Sequence, residues 1–471
     1  MVVSNPDNNK TELPFKIENK VMKGEVISFD SQYTSVGELL FDSLKNNPDI
    51  IGQVHAASGV EDTFANIADR MIKCALWLQR HGVGKGDIVV ISSHNHLDTV
   101  VPYVAALYLG AIVNAWDYGM NVQLARHFLT LSQPKVIFAN EKSVAVALEA
   151  AKIELYHPKM VCFGYYPGTT PFTETLKGHA ESAVKNFRCR EINDTSHTGL
   201  ILFSSGTTGL PKGVKLSHKA LINALDTRGA FSIDTHVPMW FSSLYWISGS
   251  LLSLKSIVSC TKRIIGPEFD EKVTCELIEK FKVTWLMLST SMANRLARYN
   301  RLHDYDLSSL KTLFTGGATL KQESQDLLKN HFPNTLVLQA YGWVHTGDLA
   351  YYNEKGEIFI MDRLKEIMKY RGYQITPTEI ENVLQSHPAV LEVGVVGIPH
   401  PTDDEHPIAF VSKIPNKEVS AEELIKMVAS NLMDNYKLRG GVQFLPSLPH
   451  THSGKISKKE LKAMARTLVI H

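Results

Sequence analysis

The sequence predicts an α/β chain built on a largely parallel sheet, with a compact α+β unit at its C-terminal end. Two observations lead there. Between Phe64 and Thr315, stretches with helical spacing alternate with short apolar runs of strand length, the order that a parallel sheet with crossover helices requires. After Arg363 the chain changes character, with short strands separated by helices that start on Ser/Thr-x-x-Glu capping boxes. At 471 residues, 44% hydrophobic and 21% charged, the chain is too long for one core and fits two or three domains.

The elements follow in order. A helix over 64–78 carries Ile67, Met71, Ala75 and Leu78 on one face and ends at His81-Gly82, before a strand over 87–91. Asp98 is set to cap a helix that Gly110 stops, and 111–115 resumes as a strand. Strands over 136–138 and 159–163 repeat the theme. A helix over 271–281, a strand over 283–288, a helix over 291–299 and a strand over 312–315 then lead to the turn Gly316-Gly317-Ala318, where missing side chains let a flat ring approach the backbone. In the C-terminal part, 376–379 opens a helix with Pro377 at its first position and Ile380, Val383 and Leu384 on one face. Strands are expected over 390–396 and 408–411, and two further boxes, Ser420 to Glu423 and Ser457 to Glu460, begin two more helices.

Composition excludes several classes. The formal net charge of +1, with no basic block, argues against a nucleic-acid or anionic-membrane surface. Five scattered cysteines without a C-x-x-C pair suggest neither a disulfide framework nor a zinc site. The polar N-terminus does not read as a secretory signal, and the longest apolar run, 100–115, is broken by Pro102 and Gly110, so no membrane span is expected.

The chemistry concentrates in Ser204 to Lys212, SSGTTGLPK, directly after the apolar run 199–203. Four hydroxyls, two glycines and a lysine offer side-chain donors, closely approachable backbone N–H groups and a positive charge, which together suit a polyphosphate. The spacing is not that of a Walker A loop. A second short strand over 214–216 and a helix capped by Ser217 make this a hairpin-like loop, so the phosphates are not expected at a helix N-terminus.

This string resembles, residue for residue, the phosphate loop of the adenylate-forming (AMP-binding) superfamily, which includes acyl-CoA synthetases, 4-coumarate–CoA ligases, firefly-type luciferases and carrier-protein adenylation domains. The resemblance implies a large multi-sheet N-terminal domain, 1–361, and a smaller mobile α+β C-terminal domain, 362–471. It also implies ATP bound by Ser204, Ser205, Gly206, Thr207, Thr208, Gly209 and Lys212, with Gly316, Gly317, Ala318 and Tyr341 around the adenine. Asp348 and Arg363 match ribose contacts; Lys369, Arg371 and Gly372 match a loop lining the CoA tunnel; Lys455, on a glycine turn, matches the catalytic lysine that neutralises charge as carboxylate attacks the α-phosphate. Trp246, in FSSLYWISG, stands where luciferase-like members carry a histidine; its bland reading is core packing, and the resemblance makes it an acyl-substrate contact.

One departure is sharp. Relatives read Tyr-Gly-x-Thr-Glu where this chain has Tyr341-Gly342-Trp343 and passes straight into a W-x-x-T-G-D motif that the family places several dozen residues later. The junction looks like a skipped exon or gene-model error, and it removes the threonine and the glutamate that helps hold Mg²⁺, so no residue is assigned as a metal ligand. The implied function is ATP-dependent activation of a fatty or aryl carboxylic acid to an acyl-adenylate, then thioester formation with CoA. The alternatives are a luciferase-like monooxygenase, a carrier-protein adenylation domain, or a catalytically impaired variant that only binds nucleotide. Family association points to peroxisomes, but the chain ends Val469-Ile470-His471 without an import tripeptide, so a cytoplasmic location is expected.

Overall fold

The structure, a computed structural model, describes residues 15–18, 21–24, 31–204, 211–225, 233–266, 268–317, 320, 322–339, 348–352, 358–363, 366–371, 373–451 and 455–468. The described chain forms two compact units, one running from residue 31 to Leu336–Gln339, and one comprising the strand pair Phe15–Glu18 and Val21–Gly24 and the chain from Asp348–Tyr352 onward. The mixed α/β architecture expected from the sequence is observed.

The first unit holds two seven-stranded sheets. In the first sheet the spatial order is Lys212–Ser217, Thr198–Ser204, Ile112–Ala115, Ile88–Ser92, Val136–Ala139, Lys159–Cys162 and Thr170–Pro171. Every neighbouring pair is parallel except the first. In the second the order is Leu336–Gln339, Thr312–Gly316, Trp285–Ser289, Pro238–Trp240, Arg263–Ile265, Ile51–His55 and Glu61–Thr63, with only the last pair antiparallel.

Sequence explains how the first sheet is covered. The helix Phe64–Arg80 buries Ile67, Met71, Ala75 and Leu78, the face its spacing predicts, and Thr63 caps it by accepting from the Asn66 N–H. The neighbouring helix Val100–Tyr108 is apolar on all sides and buried throughout, packed against Phe64–Arg80 and Val36–Asn46. Truncating one of its neighbours' fully buried leucines, such as Leu40 or Leu78, costs about 2–5 kcal/mol at such sites.

Asp98 does not cap this helix as expected. The position before Val100 is Thr99, in helical conformation and without a side-chain cap bond, while Asp98 pairs with Arg70 Nε at 2.9 Å. Arg70, half-buried and also held by Asp62, draws the carboxylate away from the helix end.

The second unit is built on a long antiparallel hairpin, Val390–His400 with Asp404–Lys413, in register from Val390↔Lys413 to His400↔Asp404. Met368–Tyr370 pairs with Tyr373–Ile375 and touches the hairpin at Tyr370↔Asp404; Val442–Phe444 joins the same strand, Asp404–Lys413, in parallel, from Ala409↔Val442 to Val411↔Phe444. Helices Pro377–Gln385, Ala421–Asn431 and Lys458–Leu468 belong to the same unit. Two of the expected N-caps form: Ser420 Oγ accepts from Glu423 N at 3.1 Å and Ser457 Oγ from Glu460 N at 3.5 Å, while the Glu423 carboxylate turns to His387 Nε2 at 3.2 Å. The third does not, because Thr376 is buried and makes no side-chain cap; Pro377 at the first position starts that helix instead.

Candidate active site

The expected phosphate loop is the connection of an edge hairpin. Thr198–Ser204 pairs antiparallel with Lys212–Ser217, and the register closes on Phe203↔Gly213 and Ser204↔Lys212. Its base is rigid: Leu200, Ile201, Leu202 and Phe203 are all buried, Phe203 stacks on Phe128 at 3.8 Å, and Asn114 Nδ2 donates to the Ile201 carbonyl at 2.9 Å. The helix His218–Leu225 begins as the sequence predicts, with Ser217 Oγ accepting from Ala220 N. Lys212 is exposed, as suits a group meant for a soluble anion. Ser205, Gly206, Thr207, Thr208 and Gly209 lie outside the described residues.

His218 locks the hairpin to the N-terminal helix. Its Nδ1 accepts from the backbone N–H of Val36 at 3.2 Å, and burial, aided by the charges of His197 and Lys85, lowers its pKa to about 4. A neutral imidazole is therefore built into this joint.

Gly316 and Gly317 close the strand Thr312–Gly316, which lies between Trp285–Ser289 and Leu336–Gln339. Thr290 Oγ1 donates to the Gly316 carbonyl at 3.2 Å. Gly317 takes φ +94°, a left-handed value that excludes ordinary side chains, and among the described residues nothing lies within 4 Å of where a Cβ would stand. Ala318 and Tyr341 lie outside the described residues.

Trp246 is not core packing, the bland reading of it. It is 47% exposed, meets the ring of Tyr245 edge-on at 5.2 Å, and directly precedes the helix Ile247–Val258. Gly249 fixes the path of this segment by crowding, since a Cβ on it would lie 2.1 Å from the Ser243 carbonyl oxygen.

The carboxyl ends of strands from both sheets converge. Asn95, just after Ile88–Ser92, donates from Nδ2 to the carbonyl of Ser242 at 3.0 Å, just after Pro238–Trp240. Tyr118, beyond Ile112–Ala115, donates to Glu268 Oε1 at 3.2 Å, beyond Arg263–Ile265. The phosphate hairpin, Trp246 and the Gly316-Gly317 turn all follow strands at these same ends, where ligands of open parallel sheets bind. Sequence reasoning missed Asn95, Ser242, Tyr118 and Glu268. Asn95 and Tyr118 sit a few residues past strands that the sequence did locate, whereas the strands that precede Ser242 and Glu268, Pro238–Trp240 and Arg263–Ile265, were not expected from it.

In the second unit, Asp348 and Arg363 stand directly opposite each other in the antiparallel pair Asp348–Tyr352 and Ile358–Arg363. Lys369 is exposed on Met368–Tyr370, and its N–H donates to Glu405 Oε2 at 3.0 Å. Arg371 takes φ +49°, donates from its backbone to the Asp403 carbonyl at 3.1 Å and from Nε to Asp403 Oδ1 at 2.7 Å, and lies over the Tyr370 ring. Gly372 is outside the described residues. Lys455 is exposed in a tight turn: its N–H donates to Thr451 Oγ1 at 3.2 Å, Thr451 N donates to its carbonyl, and a His450↔Ile456 bridge closes the turn. A few residues on, Lys458 Nζ bonds Glu381 and the Val395 carbonyl, anchoring the last helix to this unit.

A fold of two parallel sheets with a phosphate-type hairpin at their converging ends, followed by an α+β unit with an exposed turn lysine, defines an adenylate-forming class. Residues 41–366 match the family model of AMP-binding enzymes, and 379–455 that of the AMP-binding enzyme C-terminal domain. The chain belongs to the AMP-binding enzyme family. It is 24% identical to luciferin 4-monooxygenase of Luciola mingrelica, covering 96% of each chain, and 26% identical to 4-coumarate–CoA ligase-like 5 of Oryza sativa subsp. japonica, covering 88% of this chain and 87% of the relative. Among solved structures it resembles ATP-bound MatB from Rhodopseudomonas palustris, with TM-score 0.79 at 19% identity over 92% of this chain and 99% of that one. The alignment to the Luciola protein runs over 541 positions, more than the 471 residues of this chain, so this chain lacks internal stretches that the relative has.

Proposed function

We propose that the chain activates a carboxylic acid with ATP as an acyl-adenylate and passes the acyl group to CoA, with a fatty or aryl acid as substrate. The supporting observation is the edge hairpin bearing SSGTTGLPK at the converging strand ends, in a chain of the AMP-binding family. In this reading Lys212 and the loop hydroxyls hold the departing phosphates, and adenine lies against the Gly316-Gly317 turn. The exposed Trp246 meets the apolar part of the acid. Asp348 and Arg363 take the ribose, Lys455 neutralises the α-phosphate as carboxylate oxygen attacks phosphorus and pyrophosphate leaves, and Lys369 to Gly372 serve the thiol step.

Mg²⁺ belongs to this reading with ATP and CoA, although the carboxylate that usually holds it is missing from the sequence. The Thr-Glu pair is missing after Tyr341-Gly342, and the one group of three or more metal-capable side chains among the described residues, His400, Asp403 and His406, belongs to the second unit.

The missing pair favours a second reading for this exact sequence, in which nucleotide is bound but adenylation runs near background. Acid-dependent pyrophosphate release separates them. Robust release from the 471-residue chain, followed by CoA thioester, establishes the ligase. ATP binding without release establishes the impaired form, and light with luciferin and oxygen overturns both.

A further inference from the structure

At the tip of the long hairpin the chain reads His400-Pro401-Thr402-Asp403-Asp404-Glu405-His406. The turn folds this spacing back on itself, pairing His400 with Asp404 and Ile398 with His406. Both imidazoles come to rest on a single carboxylate oxygen: His406 Nε2 lies 2.9 Å and His400 Nδ1 3.6 Å from Asp403 Oδ2. The rings stack face to face, 3.9 Å between centroids and 17° between planes, and the three ligand atoms all lie within 4.8 Å of one another.

One hydrogen bond from His406 to Asp403 is an ordinary way to fasten a turn. It leaves unexplained why a second imidazole is stacked on the first and aimed at the same oxygen. The His400 Nδ1 also lies 3.4 Å from Thr402 Oγ1, but a metal ion accounts for two imidazole nitrogens beside one carboxylate oxygen, and binding it would tilt the stacked rings apart so that their in-plane lone pairs converge. With bonds of about 2.0–2.2 Å, a tetrahedral ion holds neighbouring ligand atoms roughly 3.4 Å apart. The two histidine–carboxylate separations fall on either side of that spacing, and the two imidazole nitrogens lie within 4.8 Å of each other, so the ligands close on an ion by side-chain rotation without a change of backbone.

The carboxylate is prepared for the task. Its Oδ1 is taken by Arg371 Nε at 2.7 Å, which orients the group and leaves Oδ2 to the histidines. The guanidinium repels a dication, and the adjoining Asp404 and Glu405 offset that charge. The Asp403 side chain is 11% exposed, whereas His406 at 20% and His400 at 37% leave a solvent-facing side where an ion can enter and water can complete its coordination. Two imidazoles and one carboxylate select borderline ions of the zinc class; magnesium and calcium prefer oxygen ligands throughout.

We propose that His400, Asp403 and His406 form a site for one first-row divalent transition-metal ion on the C-terminal unit. Because Arg371 hangs on the other oxygen of the same carboxylate, an ion at Oδ2 also stiffens the turn that follows Tyr370.

The test uses the full, untagged chain stripped with chelator, with Co²⁺ as the probe. The expected result is saturation at one equivalent, with visible absorption that Zn²⁺ displaces. H400Q and H406Q should each weaken Co²⁺ binding at least ~10-fold, while H303Q, which removes an exposed histidine elsewhere, leaves it unchanged. A measurement without substitutions runs alongside: Zn²⁺ should slow diethyl pyrocarbonate modification of His400 and His406 together. Absence of stoichiometric Co²⁺ absorption, equal affinity in all four proteins, or no protection of the two histidines overturns the site.

Discussion

The side-chain amide of Asn95 donates to the carbonyl of Ser242 at 3.0 Å and so ties the strand ends of one sheet to those of the other. The same amide reaches the Phe241 carbonyl at 3.5 Å. The joint is short-range and polar, and it sits at the mouth of the candidate site beside the segment that carries Trp246. Replacing Asn95 with alanine should cost about 1 kcal/mol, the net value of a part-buried hydrogen bond. Its larger effect should be local: binding of an apolar carboxylic acid, followed by Trp246 fluorescence, should weaken while ATP binding holds. Equal losses for both ligands would mean that Asn95 supports the whole domain and not the acid side of the site.

Lys212 sits opposite Ser204 at the foot of the phosphate hairpin. Lys212→Ala should weaken ATP binding by about 10- to 100-fold, the range expected for one charge-assisted contact, and leave adenosine binding unchanged. Titration calorimetry with both ligands decides. Parallel losses for ATP and adenosine would remove the loop from the phosphates.

Lys455 is exposed on a closed turn in the second unit. In a form of the chain carrying the absent Thr-Glu segment, Lys455→Ala should slow acid-dependent pyrophosphate release by roughly 10²- to 10³-fold, the usual loss for one preorganised charge-stabilising donor. Thioester formation from a supplied acyl-adenylate and CoA should survive. If that second step fell equally, the lysine would be serving the fold of its turn.

His218 predicts an acid limit to stability. Its folded pKa is about 4, below the ordinary value of 6.5, so the unfolded chain takes up this proton first as pH falls. The contribution of the neutral, buried imidazole is fully present above pH ~6.5 and is lost as pH drops towards 4, amounting to ~3 kcal/mol at the lower end. His96, lowered to about 3 chiefly by burial, adds to the same trend. Denaturant unfolding at a series of pH values should show the decline, and His218→Asn should flatten part of it. An unchanged slope in that variant would assign the acid sensitivity elsewhere.

What the sequence made legible was local. The helix Glu271–Phe281 has the bounds expected of it, with Asp270 found as its cap, and the hairpin around the phosphate loop follows from two short runs flanking glycines and a proline. Asp98 misled because a capping residue and a salt-bridge partner look identical in sequence; Arg70, in a different helix, decides between them. Asn95 and Ser242 were invisible for a related reason, since nothing in either segment encodes the other. The opposition of Asp348 to Arg363 is likewise a matter of strand register, which periodicity alone does not set between distant segments. Topology, which the sequence does not spell out, sets the hairpin of Ser204 and Lys212, Trp246 and the Gly316-Gly317 turn beyond strands at the same ends of the two sheets.

Gly249 separates what can vary in the substrate segment from what cannot. With the Ser243 carbonyl 2.1 Å from where a Cβ would stand, every replacement there collides with backbone, so the course of Phe241 to Gly249 is closed to mutation at that point. Trp246 and Ile247, both about half exposed on the same segment, face no such barrier. Substitutions can therefore rewrite the exposed chemistry of this segment one side chain at a time while its path stays intact.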